Sequence, residues 1–146
     1  MKIKTTIAKW LGIKPQTVTV PTDGTMGLNE YQVKAMRTCM PTSENITYML
    51  LNLMGEVGEF SSKVAKHVRK GKMTISWCNL KWKKMTAQEV RHHEAELKKE
   101  AGDILWQLSG LCQVMGWRLE DVAELNLDKL ADRQERDQID GEGDNR

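Results

Sequence analysis

Two stretches of this chain combine the apolar period of a buried helix with acids that an ordinary core would reject. In residues 46–68, Ile46, Met49, Leu50, Leu53, Met54, Val57, Phe60, Val64 and Val68 recur at three- and four-residue spacing, the signature of one helix face. In residues 97–115, Leu97, Ala101, Ile104, Leu105, Leu108, Leu111 and Met115 do the same. Each stretch carries a carboxylate pair three residues apart, Glu56 with Glu59 and Glu100 with Asp103. Side chains at that spacing project from the same side of a helix. Polar rows continue beside each pair: Asn52, Glu56, Glu59 and Lys63 on the first helix, Glu96, Glu100, Asp103 and Gln107 on the second. Packing the two apolar stripes together would bring four carboxylates to a shared edge. Such a cluster is costly unless cations, protons or a metal compensate it. All the donors are oxygens and neither pair contains Cys or His, so the set suits a hard divalent cation, Mg²⁺ first and Mn²⁺ as the alternative. Gly55, Gly58 and Gly102 each cost a helix interior about 1 kcal/mol relative to Ala. Close approach of the two backbones at the carboxylate level is the expected reason for them.

At 146 residues the chain has the length of one domain with little apolar surplus. Its 22 Lys and Arg against 20 Asp and Glu exclude a global electrostatic case for nucleic acid. Locally the balance differs: Lys66, Arg69, Lys70, Lys72, Lys81, Lys83, Lys84 and Arg91 face a single acid, Glu89. Cys39, Cys78 and Cys112 form no CxxC pair and lie in or near apolar runs, which points to reduced thiols and a cytoplasmic protein. The N-terminal residues lack the sustained apolar stretch of a signal peptide, and no run is long enough to span a bilayer.

Residues 1–25 read as a leader and linker. Ile3, Ile7, Ala8 and Leu11 outline a short amphipathic helix, which Pro15, Pro21 and the Thr/Gly-rich 17–27 segment end. The domain proper covers 26–136. Its first helix is expected over 28–39, closed by Pro41; the second over 44–69, with Thr42 and Ser43 as N-cap candidates and Gly71 as terminator. Thr86 and Glu89 have the capping-box spacing for a long third helix ending near Met115 and Gly116. A last helix covers 119–135, followed by a polar tail over 137–146. The fold class is all-α, a bundle of about four core helices. Between the two carboxylate helices, residues 71–88 show no period and read as an irregular insertion rich in Lys and Trp.

The motifs resemble those of the MazG-like nucleotide pyrophosphohydrolases. Leu28-Asn29-Glu30-Tyr31-Gln32 is similar to the family's opening helix, Leu53-Met54-Gly55-Glu56-Val57-Gly58-Glu59 to its first metal helix, and Glu100-Ala101-Gly102-Asp103-Ile104-Leu105-Trp106 to its second. Asn126-Leu127-Asp128-Lys129-Leu130 is similar to its closing Asn-x-x-Lys element. The resemblance covers residues 28–133 and departs from the family at the long gap between Glu59 and Glu100. It implies Mg²⁺-dependent hydrolysis of a nucleoside or deoxynucleoside triphosphate to monophosphate and pyrophosphate, in a homodimer or homotetramer. It also implies a base pocket lined by Asn29, Gln32 and residues near Trp106.

On this reading Glu56, Glu59, Glu100 and Asp103 hold the metal, and Glu56 or Glu59 accepts the proton of the attacking water. Lys63, one turn beyond Glu59, offsets phosphate charge; Asn126 and Lys129 share a face of the last helix and contact phosphate oxygens. No Gly-rich phosphate loop is present. Glu89 and His92 have the spacing of a di-iron ExxH motif, but no second copy exists. The competing reading is a non-catalytic helical module that binds metal, or that uses Trp77, Trp82 and the nearby lysines to hold nucleic acid.

Overall fold

The structure, a computed structural model, describes residues 25–76 and 79–136. The leader helix and most of the 1–25 segment, Trp77 and Cys78 in the insertion, and the 137–146 tail lie outside those residues. Four helices carry the chain: α1 (Leu28–Met36), α2 (Ile46–Arg69), α3 (Ala87–Met115) and α4 (Leu119–Glu135). The all-α expectation therefore holds. No described helix is long and apolar enough to cross a membrane.

The helix ends follow local chemistry. Thr86 and Glu89 form the expected capping box: the Glu89 amide donates to Thr86 Oγ1 at 3.3 Å and the Thr86 amide to Glu89 Oε2 at 2.8 Å. At α2 the cap is Asn45, not Thr42 or Ser43, since Asn45 Oδ1 accepts from the Tyr48 amide at 2.9 Å. Gly71 (φ +66°) and Gly116 (φ +73°) adopt the left-handed conformation that stops α2 and α3.

The insertion is more regular than its sequence suggests. Strands β1 (Met73–Ser76) and β2 (Asn79–Trp82) pair antiparallel, with Met73 opposite Trp82 and Ile75 opposite Leu80. The Lys83 amide extends the ladder to the Lys72 carbonyl at 2.8 Å. Met73 is buried, and Trp82 stacks on His93 with ring centroids 5.8 Å apart, so one face of the hairpin is tied down. A four-residue strand has too few positions for its alternation to stand out from noise.

Two compact units divide the described residues. One comprises Cys39–Leu111, that is α2, the hairpin and most of α3. There Met49 is fully buried, and a Cβ placed on Gly110 would collide with its Sδ and Cε. That contact is where α2 and α3 approach closely. Around Gly55, Gly58 and Gly102 no atom lies within 4 Å of such a Cβ, which corrects the expectation that they mediate packing between these two helices.

The other unit comprises residues up to Thr38 and from Cys112 onward, that is α1, the end of α3 and α4. Here α4 begins without a cap from its own N-terminal side chains, and α1 supplies one. Gln32 Oε1 accepts from the Leu119 amide at 2.8 Å and Asn29 Oδ1 from the Glu120 amide at 3.1 Å. The opposite ends of the two amides donate to the Trp117 carbonyl at 3.0 Å and to the Glu120 carboxylate. Donors left orphaned at a helix start are thus satisfied by a neighbouring helix.

Candidate active site

The first two turns that matter lie on α2. Glu56 and Glu59 stand three residues apart in a helix capped at Asn45 and stopped at Gly71, and Glu100 stands on α3 inside the same compact unit. One carboxylate oxygen from each of Glu56, Glu59 and Glu100 falls within 4.8 Å of the others. Their settings are graded: Glu100 is 7 % exposed, Glu56 half-buried and Glu59 exposed. Asp103 is exposed and lies outside that tight group. It is still near enough to act on it, since among neighbouring charges Asp103 does most to disturb Glu56.

Electrostatics follow from this crowding. Partial burial first, then the charges of Asp103, Glu59 and Glu100, push the Glu56 carboxyl above its ordinary value. A nearby cation offsets the cluster: Lys63 Nζ donates to Glu100 Oε1 at 2.6 Å and lies 3.9 Å from Glu96 Oε2. That hydrogen bond raises the lysine in turn, and its own partial desolvation opposes the rise. Three or four carboxylate oxygens around one point, with one lysine against them, are a donor set that a divalent cation fits.

The remaining expected residues are dispersed. Trp106 is half-buried on α3, one turn past Asp103. Asn126 and Lys129 are exposed on α4, in the other compact unit. Asn29 and Gln32 are 3 % and 5 % exposed, with both ends of each amide engaged at the start of α4. In this structure both amides cap the start of α4.

Sequence reasoning passed over two features. Gln107 is 3 % exposed and its Oε1 has no hydrogen-bond partner among the described residues. Its place on the Glu100/Asp103 row was the available signal. A basic pocket of about 240 Å³ also lies beside the carboxylates, lined by Lys63, Lys66, His67, Lys70, Lys72, His93 and Glu96. A larger hollow of about 480 Å³, between α2 and β1, is walled by Phe60, Val64, Val68 and Ile75 and holds no carboxylate. Its chemistry is that of packing.

Comparison with known proteins agrees with this arrangement. The model of the MazG nucleotide pyrophosphohydrolase domain matches residues 44–136, which include both carboxylate pairs and the hairpin between them. The gene 37 protein of Mycobacterium phage L5 is 31 % identical over 128 residues, covering 83 % of this chain and all of that protein. No solved structure matches the chain. On the strength of the domain match and the carboxylate helices it contains, the chain belongs to the MazG nucleotide pyrophosphohydrolase family.

Proposed function

We propose that this protein hydrolyses nucleoside or deoxynucleoside triphosphates to the monophosphate and inorganic pyrophosphate, with Mg²⁺ as its metal. The observation that carries the proposal is the meeting of Glu56, Glu59 and Glu100 oxygens within 4.8 Å, with Asp103 acting on the same group. Those four residues would hold the cation. Bound there, the metal supplies Lewis acidity toward phosphate oxygens and makes water a better nucleophile at neutral pH.

The chain's own residues divide the rest. Water adds across the phosphoanhydride between the α- and β-phosphates, and the bridging oxygen leaves with the bond's electron pair on one product. The proton of the water goes to Glu56 or Glu59, through a carboxylate oxygen that the cation does not engage. Lys63 sets positive charge against the phosphates once Glu100 no longer holds it. Trp106 borders the base.

Homo-oligomerisation, as a dimer or tetramer, belongs to the same proposal. Among the described residues only Met49, Met73, Cys112 and Leu119 are apolar and buried, whereas Leu51 and Met54 on α2 are each 66 % exposed. Gly55 and Gly58 sit beside this apolar face with open space where a Cβ would be. A second copy packing there would explain both features. Cys112, buried, and Cys39, half-buried, are in no disulfide among the described residues, which supports a reducing, cytoplasmic setting.

The test is a pyrophosphate-release screen over ribo- and deoxynucleoside triphosphates, with and without Mg²⁺. Release of pyrophosphate that EDTA stops is the expected result. Diphosphate and orthophosphate as products would overturn the reading.

A further inference from the structure

We propose that the basic pocket of Lys63, Lys66, His67, Lys70, Lys72 and His93 binds the two phosphates that leave as pyrophosphate, an assignment that rests on the hydrolytic reading above. The pocket's volume, about 240 Å³, is below the range of roughly 300–1,000 Å³ typical of pockets for whole organic ligands. Compact anionic groups fit a space of that size and lining.

Its walls come from three places. Lys63, Lys66, His67 and Lys70 follow each other at i, i+3, i+4 and i+7 on one face of α2. Lys72 enters at the start of the hairpin and His93 from α3. Cations in the last turn of α2 are favoured by the helix dipole, but that accounts for neither Lys72 nor His93, which the chain brings in from outside the helix. The one acid in the lining, Glu96, is already held by Lys99 at 2.6 Å. Like charges gathered around a cavity repel one another unless an anion joins them.

His67 has the most unusual position of the group. Its ring is fixed by edge contacts to His93 at 4.4 Å and to Trp82 at 5.1 Å, and its buried Nδ1 has no hydrogen-bond partner among the described residues. Burial, then His93, Lys72, Lys70 and Lys66, hold its pKa below the ordinary value. Phosphate would reverse the charge part of that effect. Trp82 thereby ties the insertion hairpin to the pocket wall, its Nε1 donating to Glu94 at 3.3 Å.

Placement relative to the carboxylates completes the case. Lys63 belongs to both places, lining the pocket and pairing with Glu100 at 2.6 Å. A rise of about 1.5 Å per residue puts Lys66 roughly 10 Å and Lys70 roughly 16 Å beyond Glu59 along α2. One helix face therefore passes from acid to base in the direction a polyphosphate would lie, with its cleaved bond at the acidic end and its leaving phosphates at the basic end.

The experiment titrates the full-length protein calorimetrically with inorganic pyrophosphate and with tripolyphosphate in Mg²⁺. It compares the wild type, the double variant Lys66→Gln/Lys70→Gln, and Arg69→Gln. Arg69 removes a charge from the same turn, but its side chain lines the apolar hollow instead. The double variant should bind both anions about tenfold more weakly and show KM and the inhibition constant of product pyrophosphate raised alike; Arg69→Gln should match the wild type. Wild-type affinity in the double variant, with nucleotide still cleaved, overturns the pocket and leaves the function standing. Loss of pyrophosphate binding in a protein that cleaves no nucleotide keeps the pocket as a pyrophosphate site and removes the hydrolytic reading. If a single-stranded oligonucleotide binds more tightly than tripolyphosphate and the double variant loses it, the pocket is a nucleic-acid groove and the proposal fails.

Discussion

Two sets of polar side chains meet opposite fates in this molecule. Between α1 and α4, Asn29 and Gln32 find a partner for both donor and acceptor, and every bond ties one helix to the start of another. On α2 and α3, Glu56, Glu59 and Glu100 converge with only partial compensation from Lys63, and Glu56 bears the strain as a raised pKa. A buried polar group whose hydrogen bonds close within the chain is doing structural work. One whose charge does not close needs something from outside. The first set predicts stability effects, the second predicts chemistry, and mutations can separate them.

The largest effect belongs to the open set. Glu59 is exposed and caps nothing, so Glu59→Gln should leave the helical circular dichroism unchanged while lowering Mg²⁺-dependent turnover by about a hundredfold or more, the scale of losing one preorganised electrostatic partner. Near-normal turnover would mean the cluster is a solvated helix face. Asp103→Asn should act in the same direction, since Asp103 is the main charge disturbing Glu56.

Next comes the response of stability to cation and pH. With Mg²⁺ about a hundredfold above its dissociation constant the melting midpoint should rise by roughly 5–10 °C over the EDTA form. The sign with pH is opposite to that of a salt-bridged acid. Because the folded protein holds the Glu56 proton more tightly than the unfolded chain, whose value is near 4.5, this group favours folding below that pH and loses its contribution as pH rises through the raised value. Metal-free protein should therefore lose stability on going from pH 4.5 toward 7, and Glu56→Gln should flatten that slope. A flat profile in the unmodified protein would show that the carboxylates do not feel one another.

The closed set should behave differently. Gln32→Ala leaves the Leu119 amide and the Trp117 carbonyl without their partner, and the loss should be about 1–3 kcal/mol with kcat and KM for the best nucleotide unchanged. Urea denaturation and steady-state kinetics on the same preparation decide it. A selective rise in KM for one base would show that Gln32 lines the base pocket as the resemblance implies.

How much of this was legible in the sequence depended on the range of the interaction. The meeting of Glu56 and Glu59 with Glu100, the Thr86–Glu89 box and the stop at Gly71 are written in neighbours three or four residues apart, and those readings agree with the structure; the apolar stripe of α2 does not close as a buried face, since Ile46, Leu50, Met54, Val57 and Val68 are exposed. Asn29 and Gln32 reach residues 85 to 91 positions away, and no local pattern announces such a partner. The close approach at Gly110 is likewise set by Met49 far along the chain, so Gly55, Gly58 and Gly102 drew attention that belonged elsewhere. The hairpin escaped because Met73 and Trp82 are apolar contacts of two four-residue strands, too short to show a period. His67 and His93 lie 26 positions apart, and only the folded hairpin with Trp82 brings them into one wall.

The smallest effect tests the same contrast at a helix end. α4 is capped by buried amides from another helix, α2 by its own exposed Asn45, so losing the latter exposes its donor to water instead of stranding it. Asn45→Ala should accordingly cost about 1 kcal/mol, less than Gln32→Ala, because water can replace the bond to the Tyr48 amide. Thr42→Ala should lie within about 0.5 kcal/mol of the unmodified protein: Thr42 is exposed, and it is the backbone carbonyl, not the side chain, that accepts from Asn45 Nδ2 at 3.0 Å. Should Thr42→Ala prove the more damaging of the two, the helix would start earlier than Ile46 and the cap would be Thr42, as the sequence alone suggests. Equal costs for Asn45→Ala and Gln32→Ala would mean that burial adds nothing to the interhelical cap, and the distinction between closed and open polar sets would then rest on the carboxylates alone.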